Sequence, residues 1–273
     1  MTVARRIANA RMYSVSPEVE AAWRTLLGHV AAEAEVELDY EQYAAPKPLE
    51  ALWSRQDLGA VLMCGYPIAL KFAPVVPIAA PIPRAPWAAG RAEYRTDLIV
   101  RRDSAYRTLE DTFGGRAGWT VAHSHSGFNA FRHHLLSYRA PGRPALYGEM
   151  IGDLITARNV LDAVREGHID VGPLDAYWHL LIAHHRPELT EGVRVLASTA
   201  MAPIPAFVAA AGTATAEVGR LRGALVGAAS RAWFAPLGDQ LLLDGFEAVS
   251  EASYATTLAW DREAKAAGYP LPA

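Results

Sequence analysis

The sequence predicts an α/β protein assembled from successive β-α units with parallel strands. Three observations carry that prediction. The first 63 residues alternate short apolar strands with amphipathic helical stretches in the order β-α-β-α-β, which calls for helical crossovers between parallel strands. The stretch Trp119-Thr-Val-Ala-His-Ser-His-Ser-Gly-Phe-Asn-Ala-Phe131 reads as a strand turning through small polar residues into a helix. At 273 residues, 51% hydrophobic and 20% charged, the chain can bury one large core or the cores of two lobes.

The elements follow in order. Ile7 to Tyr13 is an expected first strand, ending in Ser14-Val-Ser-Pro17. Pro17 suits the first turn of a helix with Ser16 as its cap. Val19, Ala22, Trp23, Leu26, Leu27 and Val30 then share one face. Val36 to Tyr40 is expected as a second strand, Pro48 to Arg55 as a short helix, and Leu58 to Met63 as a third, buried strand. That strand ends at Cys64-Gly65-Tyr66-Pro67, and loops at the carboxyl ends of parallel strands are where open α/β sheets place ligands. Val75 to Ala79 is extended, and Tyr94 to Arg101 and Val193 to Ser198 are extended segments fit to cross between lobes. Trp119 to Ala122 is expected as a buried strand, with helices from Phe128 to Tyr138 and from Asp153 to Arg165. Ile169 to Leu174 is strand-like and ends at Asp175, where a further helix starts. Beyond Pro205 the alanine-rich chain is expected to be mostly helix.

Composition removes several functions. A net charge of -3 without a Lys/Arg run gives no basis for nucleic-acid binding. One cysteine, Cys64, excludes an intrachain disulfide and a cysteine metal site. The apolar stretch from Ala73 to Ala89 is interrupted by prolines, so no membrane insertion is expected. Met1-Thr-Val-Ala4 leads into Arg5-Arg6 without an apolar leader. As it stands the sequence reads as cytoplasmic, and as periplasmic if a signal peptide has been removed from it.

The stretch His123-Ser-His-Ser-Gly127 is the leading candidate for function. Where a strand turns into a helix, the first backbone N–H groups lack intrahelical partners and carry the positive end of the dipole. That suits an anion or an oxygen-rich ligand. Ser126 is equally a good ordinary N-cap. The nine histidines raise a metal reading, but His133-His134 and His184-His185 diverge by about 100° on a helix. Only His123-x-His125 has chelating spacing, and no metal is expected. No HExxH, P-loop or GxGxxG is present, so no cofactor is expected either. Ser124 or Ser126 with His125 and Asp153 or Asp175 supplies the residue types of a hydrolase, yet Ser-His-Ser lacks the flanking glycines of a nucleophile elbow.

Tyr94-Arg-Thr-Asp-Leu-Ile-Val-Arg-Arg-Asp-Ser104, then Leu109-Glu-Asp111, then Ser124-His-Ser-Gly127 occur in an order and spacing that resemble the phosphate/phosphonate-binding family of ABC-transporter solute receptors. The likeness runs from about Ala10 to Phe246. It implies a two-lobed type II periplasmic-binding-protein-like fold with two crossover strands, residues 1–95 plus 194–273 in one lobe and 96–193 in the other. It also implies a small-molecule ligand gripped between the lobes, no catalysis, and an ABC permease as partner if the chain is exported. By resemblance, Tyr94 and Thr96 touch the ligand, and Ser124, His125, Ser126 and the Gly127 backbone cap it. Asp175 matches an acidic or amide position, while Tyr66 and Tyr13 are strand-end tyrosines placed to line the site. Two departures stand out. His125 replaces the middle threonine of Ser-Thr-Ser, and Gly152-Asp153 replaces a Gly-His.

A carboxylate facing a dianion is costly, since unit charges about 4 Å apart interact by roughly 4 kcal/mol at an effective dielectric near 20. Asp153 therefore calls for a partner, with Arg158 and His125 as candidates, or for a ligand with less negative charge or with an amine. The alternative reading is a cytosolic enzyme on the same fold, using His125 and Asp153 as acid–base groups.

Overall fold

A computed structural model describes residues 5–140, 142 and 145–272. The reading of Met1 to Ala4 as lacking a leader lies outside the described residues. By its contacts the chain divides into two compact units, 1–94 with 203–255, and 95–202 with 256–273.

The first unit is built on a six-stranded sheet. Its strands run, edge to edge, Leu243–Ala248, Val75–Pro83, Ala206–Ala210, Leu58–Met63, Arg6–Asn9 and Leu38–Tyr40. The last three are mutually parallel, as the β-α-β-α-β opening requires. Ala206–Ala210 runs antiparallel to both of its neighbours and lies inside the sheet. This strand and Leu243–Ala248 correct the expectation of helix beyond Pro205. All five residues of Ala206–Ala210 are buried, and a strand buried on both faces shows no alternation by which to recognise it.

The helix Pro17–Ala34 has the expected apolar face, and the Ser16 hydroxyl accepts from Val19 N at 3.3 Å. Trp23 from that face meets Phe207 edge-on, ring centroids 5.7 Å apart, tying helix to sheet. The first strand is shorter than expected. It ends at Asn9, and Arg11–Tyr13 forms a single 3₁₀ turn.

The second unit has a three-stranded sheet with Thr96–Arg101 between Val193–Ser198 and Gly172–Asp175, both antiparallel to it. A two-stranded parallel pair, Arg116–Gly118 with Glu149–Ile151, joins it through a bridge from Ala117 to Val171. Leu98, Val100, Phe131, Leu135, Val171 and Tyr269 pack into one core.

Here the C-terminal assignment differs from the expectation. Residues 256–273 belong with the second unit, so the chain changes units three times, at 94/95, 202/203 and 255/256. Side chains that no sequence period reports hold the C-terminal stretch there. Arg132 pairs with Asp261 at 2.6 Å, the two side chains being 2% and 3% exposed. Asn129 Nδ2 donates to Thr257 O at 2.8 Å, Arg132 Nη1 donates to Pro270 O at 2.8 Å, and the Trp260 ring stacks on His133.

Candidate ligand-binding turn

Trp119 to Ala122 is not a strand. The preceding strand ends at Gly118, and only Trp119 continues its ladder, donating N–H to Ile151 O at 3.1 Å. Thr120 N instead donates to Gly127 O at 3.1 Å, and Ala122 is exposed. The chain is thus folded back so that Thr120 lies directly against the start of the next helix.

That helix begins three residues earlier than apolar spacing indicated. His125–Asn129 is a π-turn, followed by α-helix over Ala130–Leu135 and a 3₁₀ turn to Tyr138. Asn129 N bonds to Ser124 O at 3.0 Å and Ala130 N to His125 O, both spanning five residues. A π-turn widens the helix mouth and is frequent at functional sites. Ser124, not Ser126, is the N-cap, its Oγ accepting from Gly127 N at 3.0 Å.

Gly127 is required by close approach. A Cβ there would sit 2.0 Å from Thr120 Oγ1, far inside contact distance. Thr120 Oγ1 is itself buried without a hydrogen-bond partner among the described residues. The Ser126 hydroxyl makes no hydrogen bond among them, and the Ser124 hydroxyl keeps its proton for donation because its oxygen accepts.

Thr96 supports this turn. Its Oγ1 donates to Ser126 O at 3.1 Å, and its N–H donates to Thr199 Oγ1 at 3.0 Å. Asp175 pairs with Thr96 across the sheet, and its Oδ1 accepts from Tyr177 N and Trp178 N, capping Ala176–His185. Strand alternation sends the neighbouring Asp97 to the other face. There its buried carboxylate accepts from Ser198 Oγ at 2.9 Å and Arg95 Nε at 3.2 Å, and meets His179 Nδ1 at 3.0 Å. The second unit therefore does bring Thr96, Ser124, His125, Ser126, Gly127 and Asp175 together.

His125 is the principal departure from expectation. It points into the protein, 1% exposed, stacked at 5.3 Å on Trp260, with Asn129 Nδ2 3.3 Å from its Nδ1. Burial, helped by the charge of His133, pushes its pKa down to about 3. A neutral, enclosed imidazole supplies no cation, so it neither pairs with Asp153 nor serves as the acid–base group of the alternative reading.

Arg158 does not pair with Asp153 either; its Nε binds Asp162 at 2.7 Å. Asp153 lies outside the helix expected from it, which starts at Ala157 with Thr156 as cap. Asp153 and Ile155 both have positive φ, and the loop is fastened by Leu154 N to Trp119 O and Ile155 N to Thr120 O. Beside it, a Cβ on Gly152 would meet the Trp119 ring at 2.2 Å. Asp153 is exposed, with no ion-pair partner among the described residues.

Tyr13, Tyr66 and Tyr94 belong to the first unit and are buried within it. Sequence reasoning missed Thr120, Asn129, Arg132, Trp260 and Asp261, which build the turn from behind. Of these only Asn129 and Arg132 carried a signal, an Asn and an Arg at i and i+3 on an otherwise apolar stretch.

Two α/β units linked by chain crossings, one presenting a hydroxyl-lined helix terminus, define the class of small-molecule solute receptors. The family model for the periplasmic substrate-binding protein of phosphonate ABC transporters matches residues 13–254. The chain belongs to that family, whose members bind small ligands and work with ABC permeases, normally in the periplasm. Its fold is the type II periplasmic-binding-protein fold.

A Pseudomonas aeruginosa binding-protein component of an ABC phosphonate transporter superposes with a TM-score of 0.77 at 14% identity, over 96% of this chain and 87% of that one. A Prochlorococcus marinus protein in complex with methylphosphonate gives 0.74 at 12%, over 96% and 98%. A Xanthomonas citri protein bound to ATP gives 0.66 at 20%, over 96% and 98%. No match was found among curated proteins. Among the described residues no helix is long and apolar enough to cross a membrane.

Proposed function

We propose that this solute receptor uses the turn Ser124–Gly127 to hold the oxygen-rich end of a small ligand carrying less charge than a phosphonate dianion. The supporting observation is that Ser124 and Ser126 keep hydroxyl protons free to donate, beside a loop whose Asp153 has no ion-pair partner among the described residues. Hydroxyls and helix-terminal N–H groups bind neutral and singly charged oxygens well. On this reading the partner is an ABC permease and the compartment the periplasm.

Titration calorimetry with methylphosphonate near neutral pH tests the charge argument. At separations up to about 10 Å, screened repulsion of a dianion by one carboxylate amounts to about 1 kcal/mol, fivefold to tenfold in affinity. Asp153→Asn is therefore expected to tighten methylphosphonate binding by that factor over a wild type that binds no better than micromolar. Submicromolar binding by the wild type, or an Asp153→Asn variant with unaltered affinity, would sink the reading.

A further inference from the structure

One residue of the second unit is held in a backbone conformation that its own side chain disfavours. Ile155 has a φ of 69°, and among the described residues it alone is both β-branched and at positive φ. Thr156 N donates to Leu154 O at 2.7 Å, so Ile155 is the centre of a three-residue turn. With positive φ at its centre, such a turn is the rare and strained kind. Asp153, two residues earlier, shares the positive φ, but aspartate tolerates that region and a β-branched residue does not.

Neighbouring bonds fix the strained shape. Leu154 N donates to Trp119 O at 3.2 Å, Ile155 N to Thr120 O at 3.1 Å, and Asn159 Nδ2 to Leu154 O at 2.8 Å. Thr156 then caps the helix Ala157–Arg165. All of these bonds are made by backbone or by other side chains, and a glycine at 155 would take the same φ without the steric penalty. The fold therefore needs the loop's shape and not the isoleucine.

Burial does not offset the strain, since Ile155 is 47% exposed. Its place in the unit is defined by Thr120, whose N–H donates to Gly127 O and whose carbonyl accepts from Ile155 N. Ile155 thus stands two ladder steps, about 10 Å, from the turn Ser124–Gly127. Strain held at such a position is a mark of function.

We infer that Ile155 sets specificity, forming an apolar wall for an aliphatic part of the ligand whose oxygen-rich end lies on Ser124–Gly127; this rests on the solute-receptor reading of that turn. The ligand class is then a neutral or singly charged oxygen-rich head bearing an alkyl chain of several carbons. Covering Ile155 removes apolar surface of both partners from water. The fastened loop holds the side chain in place beforehand, which lowers the ordering cost of binding. A ligand polar at both ends would leave Ile155 in water and gain nothing from it.

The test titrates the mono-O-ethyl esters of methyl-, propyl- and pentylphosphonic acid, all monoanions, into the full chain by calorimetry. Wild type, Ile155→Gly, Ile155→Leu and Gly127→Ala are compared, each checked for folding by circular dichroism and urea unfolding. A fully buried methylene is worth about threefold to fourfold in affinity, so wild type should bind the pentyl ester at least about tenfold tighter than the methyl ester. Ile155→Gly should flatten that dependence to less than about threefold, and Ile155→Leu should keep most of it. A merely structural role would instead weaken all three esters alike. A wild type indifferent to chain length, or an Ile155→Gly variant with the same dependence, overturns the inference. The reading of the turn fails separately, if Gly127→Ala leaves methyl-ester affinity unaltered. Absence of binding by every ester at millimolar concentration overturns both.

Discussion

Lowering the pH charges His125 in the unfolded chain long before it does so in the folded one. Its imidazole is 1% exposed between Trp260 and the helix interior, and its folded pKa is held to about 3 against an ordinary value of 6.5. For a base whose folded pKa is depressed, the unfolded state binds the extra proton. The neutral-His contribution is thus fully present above the unfolded pKa of 6.5 and is lost as pH falls from there towards 3. Integrating proton uptake from pH 7.5 down to about pH 5 gives about 2 kcal/mol of lost stability from this residue alone.

Urea unfolding at the two pH values, in wild type and His125→Phe, isolates it. Phe retains a ring against Trp260 but cannot take a proton, so the pH-dependent part should shrink by about 2 kcal/mol even if the variant is less stable throughout. The Asn129 amide, the neighbouring His133 and its partner Glu263 remain in both proteins and cancel in the comparison. An equal pH dependence in the two proteins, or an NMR titration placing His125 near pH 6.5 in the native state, would refute the enclosed, neutral imidazole.

Two further outcomes follow from the turn and its support. Gly127→Ala would force its Cβ against Thr120 Oγ1 at 2.0 Å, displacing the Ser124–Gly127 backbone; ligand affinity should drop tenfold or more by calorimetry, with stability reduced by about 1–3 kcal/mol. Asp261→Ala strips the buried Arg132 of its carboxylate. Denaturant unfolding should show a loss of about 3–5 kcal/mol with a change in Trp260 fluorescence, and a loss below about 1 kcal/mol would mean the C-terminal stretch is held by packing alone.

Local chemistry determined much of this protein in advance. Ser16-Pro17 and the 3–4 spacing of Val19 to Val30 settle a helix, because capping and amphipathicity act within a few residues of chain. Leu58 to Met63, an apolar run between turns, settles a buried strand. Thr96, Ser124, Ser126 and Gly127 were legible as a group from motif order and small-polar composition, and the family followed from that order.

What the sequence could not determine depends on groups that meet across long separations. Whether His125 faces ligand or core is decided by Trp260 and Asn129, residues that no local period connects. The C-terminal stretch sides with the second unit through Arg132 and Asp261, 129 residues apart. Ala206–Ala210 looked like helix because alanine favours helix locally, yet pairing on both edges inside the sheet overrides a preference of a few tenths of a kcal/mol per residue. The small polar residues Ser124 to Gly127 pointed to a helix terminus, while apolar spacing put its start three residues late, at Phe128. Tertiary packing turned one of its side chains inward and left Asp153 without a counterion among the described residues.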